Sequence, residues 1–518
     1  MPKHPIRVSK KILADISSGI YRTPANALKE IVSNAFDAGA HRVYISTNTP
    51  YFDVFTCEDD GAGMSGQEFK QIMQRIGSSN KRAEGSMCEA TGRPIIGKIG
   101  IGLLAVAQIC NKFSVLSKKS GSRNYFHACV DLRQFEQVEK EDGYTKGDGG
   151  ISLGEYEIEE DLEDEVGPDR QYTKIVMQDI KEGFCTKLLD ENAKREFGVQ
   201  QKAAEGETFE QFVKTVQGKK INELSQYDQL VWELGVLCPV EYIDGGPLPD
   251  NRILQREIRA LREYNFKVFV DGYEIRKPVR FPTDEKLHEK DLDYKTYPRI
   301  LVGQKLDGSE IRFSGYVFHQ RKRIQPAELQ GVLIRIKGVA VGSYDRTFLH
   351  YPKSEGPMIS QLSGEIFVEV GLEEALNIDR NSFNETHKHY LALQKYLWNY
   401  LGGKEGVFND IRSRSKMRRD RVRAKEANQE LSKLVQLIKS RENIELGFER
   451  CPSEAAEPYE YDKRKRKLTF YRHTWWGKKA GQRLIQEKVV VALTAAKTVA
   501  KSIEDFEKVF VRLLTHRK

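Results

Sequence analysis

Only seven of the 518 residues are cysteine, and no two of them form a C-x-x-C pair. An odd, scattered set offers neither a disulfide framework nor a zinc ribbon, and it fits reduced thiols in a cytosol. The ten histidines do not cluster with the cysteines. His387 and His389 stand two apart, a spacing that does not share a helix face, so a structural zinc site is not expected. No apolar run approaches the ~20 residues that span a bilayer, and no membrane partner is expected. The opening MPKHPIRVSKK is basic but lacks the apolar block of a secretory signal, which predicts a cytoplasmic protein. Internal repeats and long low-complexity tracts are missing too. So is a Gly-Lys-Ser/Thr phosphate loop, and the one Gly-rich turn into a helix has its glycines as G-x-x-G-x-G, the reverse of the dinucleotide-binding order.

What is present is a soluble-type composition, 39% hydrophobic and 31% charged, over a length that predicts two to four domains. The net charge of +8 is unevenly spread: eight basic residues against one acid, Asp420, lie between Arg412 and Lys425, with a second cluster at Lys463–Lys467. Such a run binds a polyanion such as nucleic acid or is simply a solvated helix face. Periodicity predicts an α+β unit over 1–185, a charged helical connector over 186–245, an α/β unit over 246–402 and a basic, mostly helical region over 403–518. Near the end, Val499, Ile503, Phe506, Phe510 and Leu513 trace a short heptad seam, either a dimer contact or one face of a bundle.

The stretch ALKEIVSNAFDAGA (Ala27–Ala40) carries the densest chemistry. At 3.6 residues per turn it places Glu30, Asn34 and Asp37 on one face and Leu28, Ile31, Val32 and Phe36 on the other. Two carboxylates and an amide in a row suit a divalent metal and an attacking water, or else a solvated face. Downstream, EDDGAGMS sets Asp59 at a strand end before Gly61 and Gly63. There the missing Cβ atoms admit a flat ligand, a carboxylate can accept from an exocyclic amine, and Met64 can pack on a ring. GKIGIGLLA opens an apolar helix with Gly97, Gly100 and Gly102, offering backbone N–H groups and a positive helix end to phosphate. YTKIVMQDI leads a strand with Thr173.

In this order, the four elements resemble the nucleotide-binding domain shared by gyrase B, the ninety-kilodalton heat-shock chaperones, histidine kinases and MutL, the GHKL superfamily, over about residues 8–180. The opening helix region is most similar to MutL-type proteins; GKIGIGLLA and YTKIVMQDI look more like the chaperones. The resemblance implies an ATP-binding sandwich of the Bergerat type that uses ATP and Mg2+. It implies Glu30 as the general base for the water that attacks the γ-phosphate, Asn34 as the Mg2+ ligand, and Asp59 as the acceptor of the adenine amine, with Thr173 assisting through water. Asp37 would support the adenine side. Gly100, Ile101, Gly102 and Leu103 would bind phosphate through their N–H groups, and 77–96 would form an ATP lid with Lys81 and Lys98 as phosphate contacts. Tyr172 departs from the chaperone pattern, which has glycine there. More weakly, GEIFVEVGLEEALNIDRNSFNETH resembles the chaperone middle-domain segment, which implies a transducer-like unit whose Arg380 reaches the γ-phosphate.

Two functions follow as expectations. The first is an ATP-hydrolysing switch that closes as a homodimer on a protein client. The second is a DNA-acting ATPase clamp, holding DNA through the 412–425 segment, in repair or in defence against foreign DNA. A histidine kinase would place its ATP domain after a dimerising helix, and no strand-cleaving constellation is apparent.

Overall fold

The computed structural model describes residues 23–74, 87–88, 91–97, 102–132, 154–163, 170–189, 206–217, 223–244, 246–248, 252–284, 286–287, 293–300, 304–306, 309–377, 379–422, 445–450, 459–462, 464–465, 467–472 and a few positions between 492 and 509. They fall into two compact units, Met1–Phe408 and Asn409–Lys518.

In the first unit, helix α1 spans Pro24–Asp37. Its start follows from two adjacent residues. Thr23 sits in extended backbone and its Oγ1 accepts the Asn26 N–H at 3.3 Å, while Pro24 needs no partner for a missing N–H. Its end follows from Gly39, whose φ of +79° turns the chain into the first strand. As expected, Leu28, Ile31, Val32 and Phe36 are buried.

Eight strands then build one sheet: β1 (Arg42–Ser46), β2 (Phe55–Asp59), β3 (Cys110–Lys118), β4 (Asn124–Asp131), β5 (Glu155–Glu163), β6 (Tyr172–Ile180), β7 (Lys267–Val270) and β8 (Tyr273–Ile275). Their order is β5-β4-β3-β6-β2-β1-β7-β8. Every neighbouring pair is antiparallel except β1 and β7. Alternation sets the buried face: Val43 and Ile45 on β1, Phe113 and Val115 on β3, and Phe126, Ala128 and Val130 on β4 point to the core. Helices α2 (Gly66–Gln74) and α3 (Gly102–Ile109) follow β2 and precede β3, and α3 packs against α1.

The segment FKVFVDGYEI, which its pattern assigns to the 246–402 unit, lies in this first sheet. It is a hairpin, β7-β8, turned at Asp271 (φ 45°) and Gly272 (φ 95°), the two positive values that a tight hairpin turn needs. It adds to the open edge of β1 in the register Val43↔Val268. The Asp271 carboxylate fixes it there, accepting from Thr47 N–H at 2.8 Å and from Thr47 Oγ1 and Tyr227 Oη at 2.7 Å each. Sequence pattern shows that a strand exists but not which sheet edge it completes.

Between the β6 and β7 strands come α4 (Glu182–Leu188), α5 (Phe209–Gln217), α6 (Gln226–Leu237) and α7 (Arg252–Tyr264). A second sheet follows, from β9 (Tyr294–Ile300), β10 (Gln304–Leu306), β11 (Ser309–Gln320), β12 (Gly331–Ile336), β13 (Val339–Asp345) and β14 (Leu362–Val370). It is mixed: β12 and β14 run parallel, and the other pairs antiparallel. Helix α8 (Lys388–Gly402) closes the unit's described secondary structure apart from helical residues at 407–408. The α6 helix packs on α1, β8 and β13, so it joins the two sheets.

A buried charge pair locks that joint. Arg335 on β12 and Glu365 on β14 are 1% and 0% exposed and meet at 2.6 Å. Arg335 Nη1 also donates to the Val236 carbonyl at the end of α6, and Glu365 Oε2 accepts from Tyr242 Oη at 2.8 Å and Tyr316 Oη at 2.9 Å.

In the second unit, residues 409–422 are helical and present Arg412, Lys416, Arg419 and Arg421 to solvent, whereas Arg414 is buried. The region is not simply helical. Strands β15 (Glu445–Arg450), β16 (Tyr459–Asp462) and β17 (Lys467–Arg472) form a three-stranded sheet in the order β15-β17-β16. Within it, Lys467–Arg472 (KLTFYR) alternates and carries Thr, Phe and Tyr, residues that favour strands. The heptad positions Val499, Ile503, Phe506, Phe510 and Leu513 lie outside the described residues.

Removing one member of the Arg335–Glu365 pair strands the other in the core, so Arg335→Met is expected to cost about 3–5 kcal/mol. The urea unfolding midpoint reads this loss. Adding Glu365→Gln, which discharges the carboxylate yet keeps an acceptor for both tyrosines, should recover most of it.

Candidate active site

Helix α1 is buried on nearly all sides, so its polar residues are the unusual feature. Lys29 (1% exposed), Glu30 (4%), Ser33 (2%) and Asp37 (8%) are all inside, and only Asn34 faces solvent. Buried charges need partners, and each finds one. Lys29 Nζ lies 3.5 Å from Glu30 Oε1 and donates to Asn381 Oδ1 at 2.7 Å. Burial pushes the Lys29 ammonium below its ordinary pKa, and the Arg380 charge adds to this, while Glu30 opposes it. Glu30 Oε2 faces Arg380 Nη1 at 3.7 Å. Arg380 and Asn381 come from the loop between β14 and α8, so the second sheet reaches the face of α1 that carries Glu30.

Asp37 lies two turns beyond Glu30. Its two carboxylate oxygens accept the backbone N–H groups of Ile96 and Gly97, both at 2.6 Å. A side chain at 97 would place its Cβ 2.7 Å from Asp37 Oδ2, so only glycine allows this grip. The same segment is held from the other side. Arg380 Nη2 donates to the Ile96 carbonyl at 2.5 Å, and Lys337, at the tip of the β12-β13 hairpin, donates to the Ile95 carbonyl at 2.8 Å. Arg93 completes the seam, its guanidinium 4.5 Å above the Phe36 ring and donating to the Ala40 carbonyl at 2.7 Å.

The second cluster lies at the end of β2. Asp59 and Thr173 are cross-strand partners, and Ser117 pairs with Thr173 on the other side. Three polar residues therefore stand level on adjacent strands. Ser117 Oγ lies 3.0 Å from Thr173 Oγ1 and accepts the Met64 N–H at 3.0 Å. Asp59 Oδ1 accepts the Gly61 N–H at 2.9 Å. Desolvation nevertheless raises the Asp59 carboxyl to about 7, helped by Asp60 and Glu58 and resisted by the Gly61 N–H. Gly63 has φ +65° and sits where a Cβ would come within 2.0 Å of the Lys118 carbonyl, so the turn closes over the strand ends only with glycine. The turn is tied to α1 as well, through Ala62 N–H to the Ala38 carbonyl at 2.8 Å. Glu30 and Asp37 are separated by about 10 Å along the helix axis, so the Asp59 cluster and Glu30 mark two ends of one wall.

Of the residues singled out by sequence, the structure links Glu30 through Arg380 and Gly97 to Asp37 along the helix, and brings Asp59, Gly61, Gly63, Met64 and Thr173 together at the end of β2. Asn34 lies between, exposed. Gly102 and Leu103 open α3. Lys81, Lys98, Gly100 and Ile101 lie outside the described residues. Sequence reasoning missed Lys29, Ser117, Lys337 and Asn381. Lys29 and Asn381 adjoin chosen residues and could have been flagged by adjacency; Ser117 and Lys337 depend on strand register and on a hairpin tip, which spacing does not reveal.

Residues 21–146 match the family model described as "Histidine kinase-, DNA gyrase B-, and HSP90-like ATPase". Among curated proteins, the chain is similar to the "Putative type II restriction enzyme HgiDII" of Herpetosiphon aurantiacus, 34% identical over 113 residues, which are 22% of this chain and 18% of that protein. It is also similar to the DNA mismatch repair protein MutL of Rhizorhabdus wittichii, 34% identical over 74 residues, 14% of this chain and 12% of that one. MutL of Xylella fastidiosa is 33% identical over 118 residues, 22% of this chain and 18% of its own. The matches thus span less than a fifth of each of these three relatives. Among the described residues, no helix is long and apolar enough to cross a membrane. Motif order, an α1 wall with buried acids, a glycine turn after β2 and the family match agree: residues 21–146 form a GHKL ATPase domain, of the histidine kinase-, DNA gyrase B- and HSP90-like kind.

Proposed function

We propose that this chain is an ATP-hydrolysing conformational switch that acts on DNA. The observation that carries the switch is the Arg380–Glu30 contact, in which a loop of the second sheet body reaches the acid of the ATPase helix. The DNA reading rests on the relatives, named for mismatch repair and restriction, and on the exposed Arg412, Lys416 and Arg419, which share one helix face at i, i+4 and i+7. These favour the DNA clamp over the protein-client switch, which sequence pattern placed first.

The residues fit a magnesium nucleotide. The Asp59 carboxyl, desolvated beside Thr173 and Ser117 under a glycine turn, suits the amino edge of adenine. Asn34, exposed one turn beyond Glu30, would hold Mg2+, whose charge would offset that of the phosphates. Glu30 would orient and deprotonate the attacking water. Arg380, always charged and forked, would move from Glu30 toward phosphate oxygens, freeing the carboxylate as it goes. The second sheet would act as the transducer, closing on the ATPase domain in a homodimer.

Three measurements test this. Glu30→Ala is expected to cut phosphate release by about 10²–10⁴-fold while a fluorescent ATP analogue still binds; hydrolysis at the parental rate removes Glu30 from the mechanism. An amine donor favours ionised Asp59, so nucleotide affinity should rise with pH and level off above about 7. Below that value it should fall about tenfold per pH unit. Asp59→Asn should bind weakly with a flatter profile. Duplex DNA should stimulate ATPase activity. Replacing Arg412, Lys416 and Arg419 by Gln should lower the slope of log affinity against log salt by about 3 in fluorescence anisotropy. An unchanged slope takes this helix out of the DNA contact, and the absence of any DNA stimulation points back to a protein client.

A further inference from the structure

Away from the α1 wall, the described residues bring Glu374, His387 and His389 together, each offering a ligand atom within 4.8 Å of the others. They flank one loop. Glu374 lies in the 3-10 turn Glu373–Ala375 after β14, and the histidines stand at the start of α8. Two residues apart on a helix, His387 and His389 would diverge. His387 is the N-cap, however, with extended backbone (φ −68°, ψ 136°), and its ring swings round to lie 5.0 Å from that of His389, centroid to centroid.

The hydrogen bonds suit coordination. His389 is 2% exposed and its Nδ1 lies against the Gly371 carbonyl. A carbonyl only accepts, so Nδ1 carries the proton and the lone pair is on Nε2. Metal-bound histidines are oriented in this way, one nitrogen on the ion and the other donating to a carbonyl. His387 Nδ1 accepts the His389 N–H at 3.3 Å, a long contact that a metal ion on the same ring can replace. Glu374 is exposed and can swing to complete the set. Two imidazoles and a carboxylate suit a zinc-class ion with one position left to solvent; Mg2+ and Ca2+ prefer oxygen alone.

We propose that Glu374, His387 and His389 bind a zinc-class divalent ion that staples the base of the loop bearing Arg380 and Asn381. The loop is already a narrow hairpin. Leu376 and Phe383 form a bridge, Asn377 N–H donates to the Ser382 carbonyl at 3.0 Å, and Asn384 N–H donates to the Ala375 carbonyl at 2.7 Å. An ion at its base restricts the freedom of its tip, the part that touches Glu30 and Lys29. The ion site stands on its own geometry; only its consequence for ATP turnover rests on the function proposed above.

The test uses the full chain, stripped with a chelator and titrated with Zn2+ by calorimetry and with Co2+ by visible absorption. The expected result is a tight site that Glu374→Gln and His387→Gln each weaken by at least about tenfold. Glu374 is exposed, so its variant keeps the fold and separates ligation from folding. No uptake, or uptake unchanged in both variants, overturns the site. Hydrogen exchange over residues 376–386 should slow on adding Zn2+ to the parent but not to Glu374→Gln; unchanged exchange in the metal-loaded parent overturns the staple. Both readouts are taken without nucleotide, so a failure of ATP hydrolysis leaves them standing, and their failure leaves the ATPase reading intact.

Discussion

Helix α1 buries a lysine and two carboxylates, and much of the first unit is arranged to satisfy them. An uncompensated buried charge is among the costliest features a fold can carry. Asp37 is satisfied by two backbone N–H groups, which fixes residues 96 and 97 against the helix. Lys29 and Glu30 meet each other on the helix at 3.5 Å, and their further partners, Asn381 and Arg380, come from the second sheet body. The charges of the helix are therefore shared with that body. The helix's stability and the position of the second sheet are one problem, and the α6 joint with Arg335 and Glu365 is the rigid part of the answer.

That division has a consequence for dynamics. The Arg335–Glu365 cluster is deep and multiply bonded. The Arg380 contact is looser, at 3.7 Å, and its residue sits at φ 51°, a conformation that costs a non-glycine residue free energy unless its surroundings impose it. Its surroundings are the turn bond from its own N–H to the Asn377 carbonyl and the contacts to Ile96 and Glu30. On the proposed function, a change in the charge it faces would alter those contacts.

The fold was legible where one residue type settles a local question. Thr23-Pro24 and Gly39 bracket α1, and alternation marks β1 to β6. It was illegible where the answer depends on what lies beside a segment. The β7-β8 hairpin reads as a strand anywhere, but only the free edge of β1 assigns it to the first sheet. The three-stranded sheet of the second unit escaped because its strands are short and charged. The candidate site divides in the same way. Glu30, Asp59 and the glycine turns carry chemistry in their own identity. Ser117 becomes visible only through the register β3 to β6, and the histidine pair only because an N-cap residue escapes the helical spacing that would have parted them.

The buried charges of α1 also explain why its polar face is not simply a catalytic surface on display. Glu30 is 4% exposed and shares its oxygens with two cations. On the proposed reading, withdrawing Arg380 would remove one of those cations and free a carboxylate oxygen. The same movement would carry a positive charge toward whatever anion drew it away. On the proposed function, freeing the acid and neutralising the anion would be two ends of one displacement, made by a loop of the second sheet body.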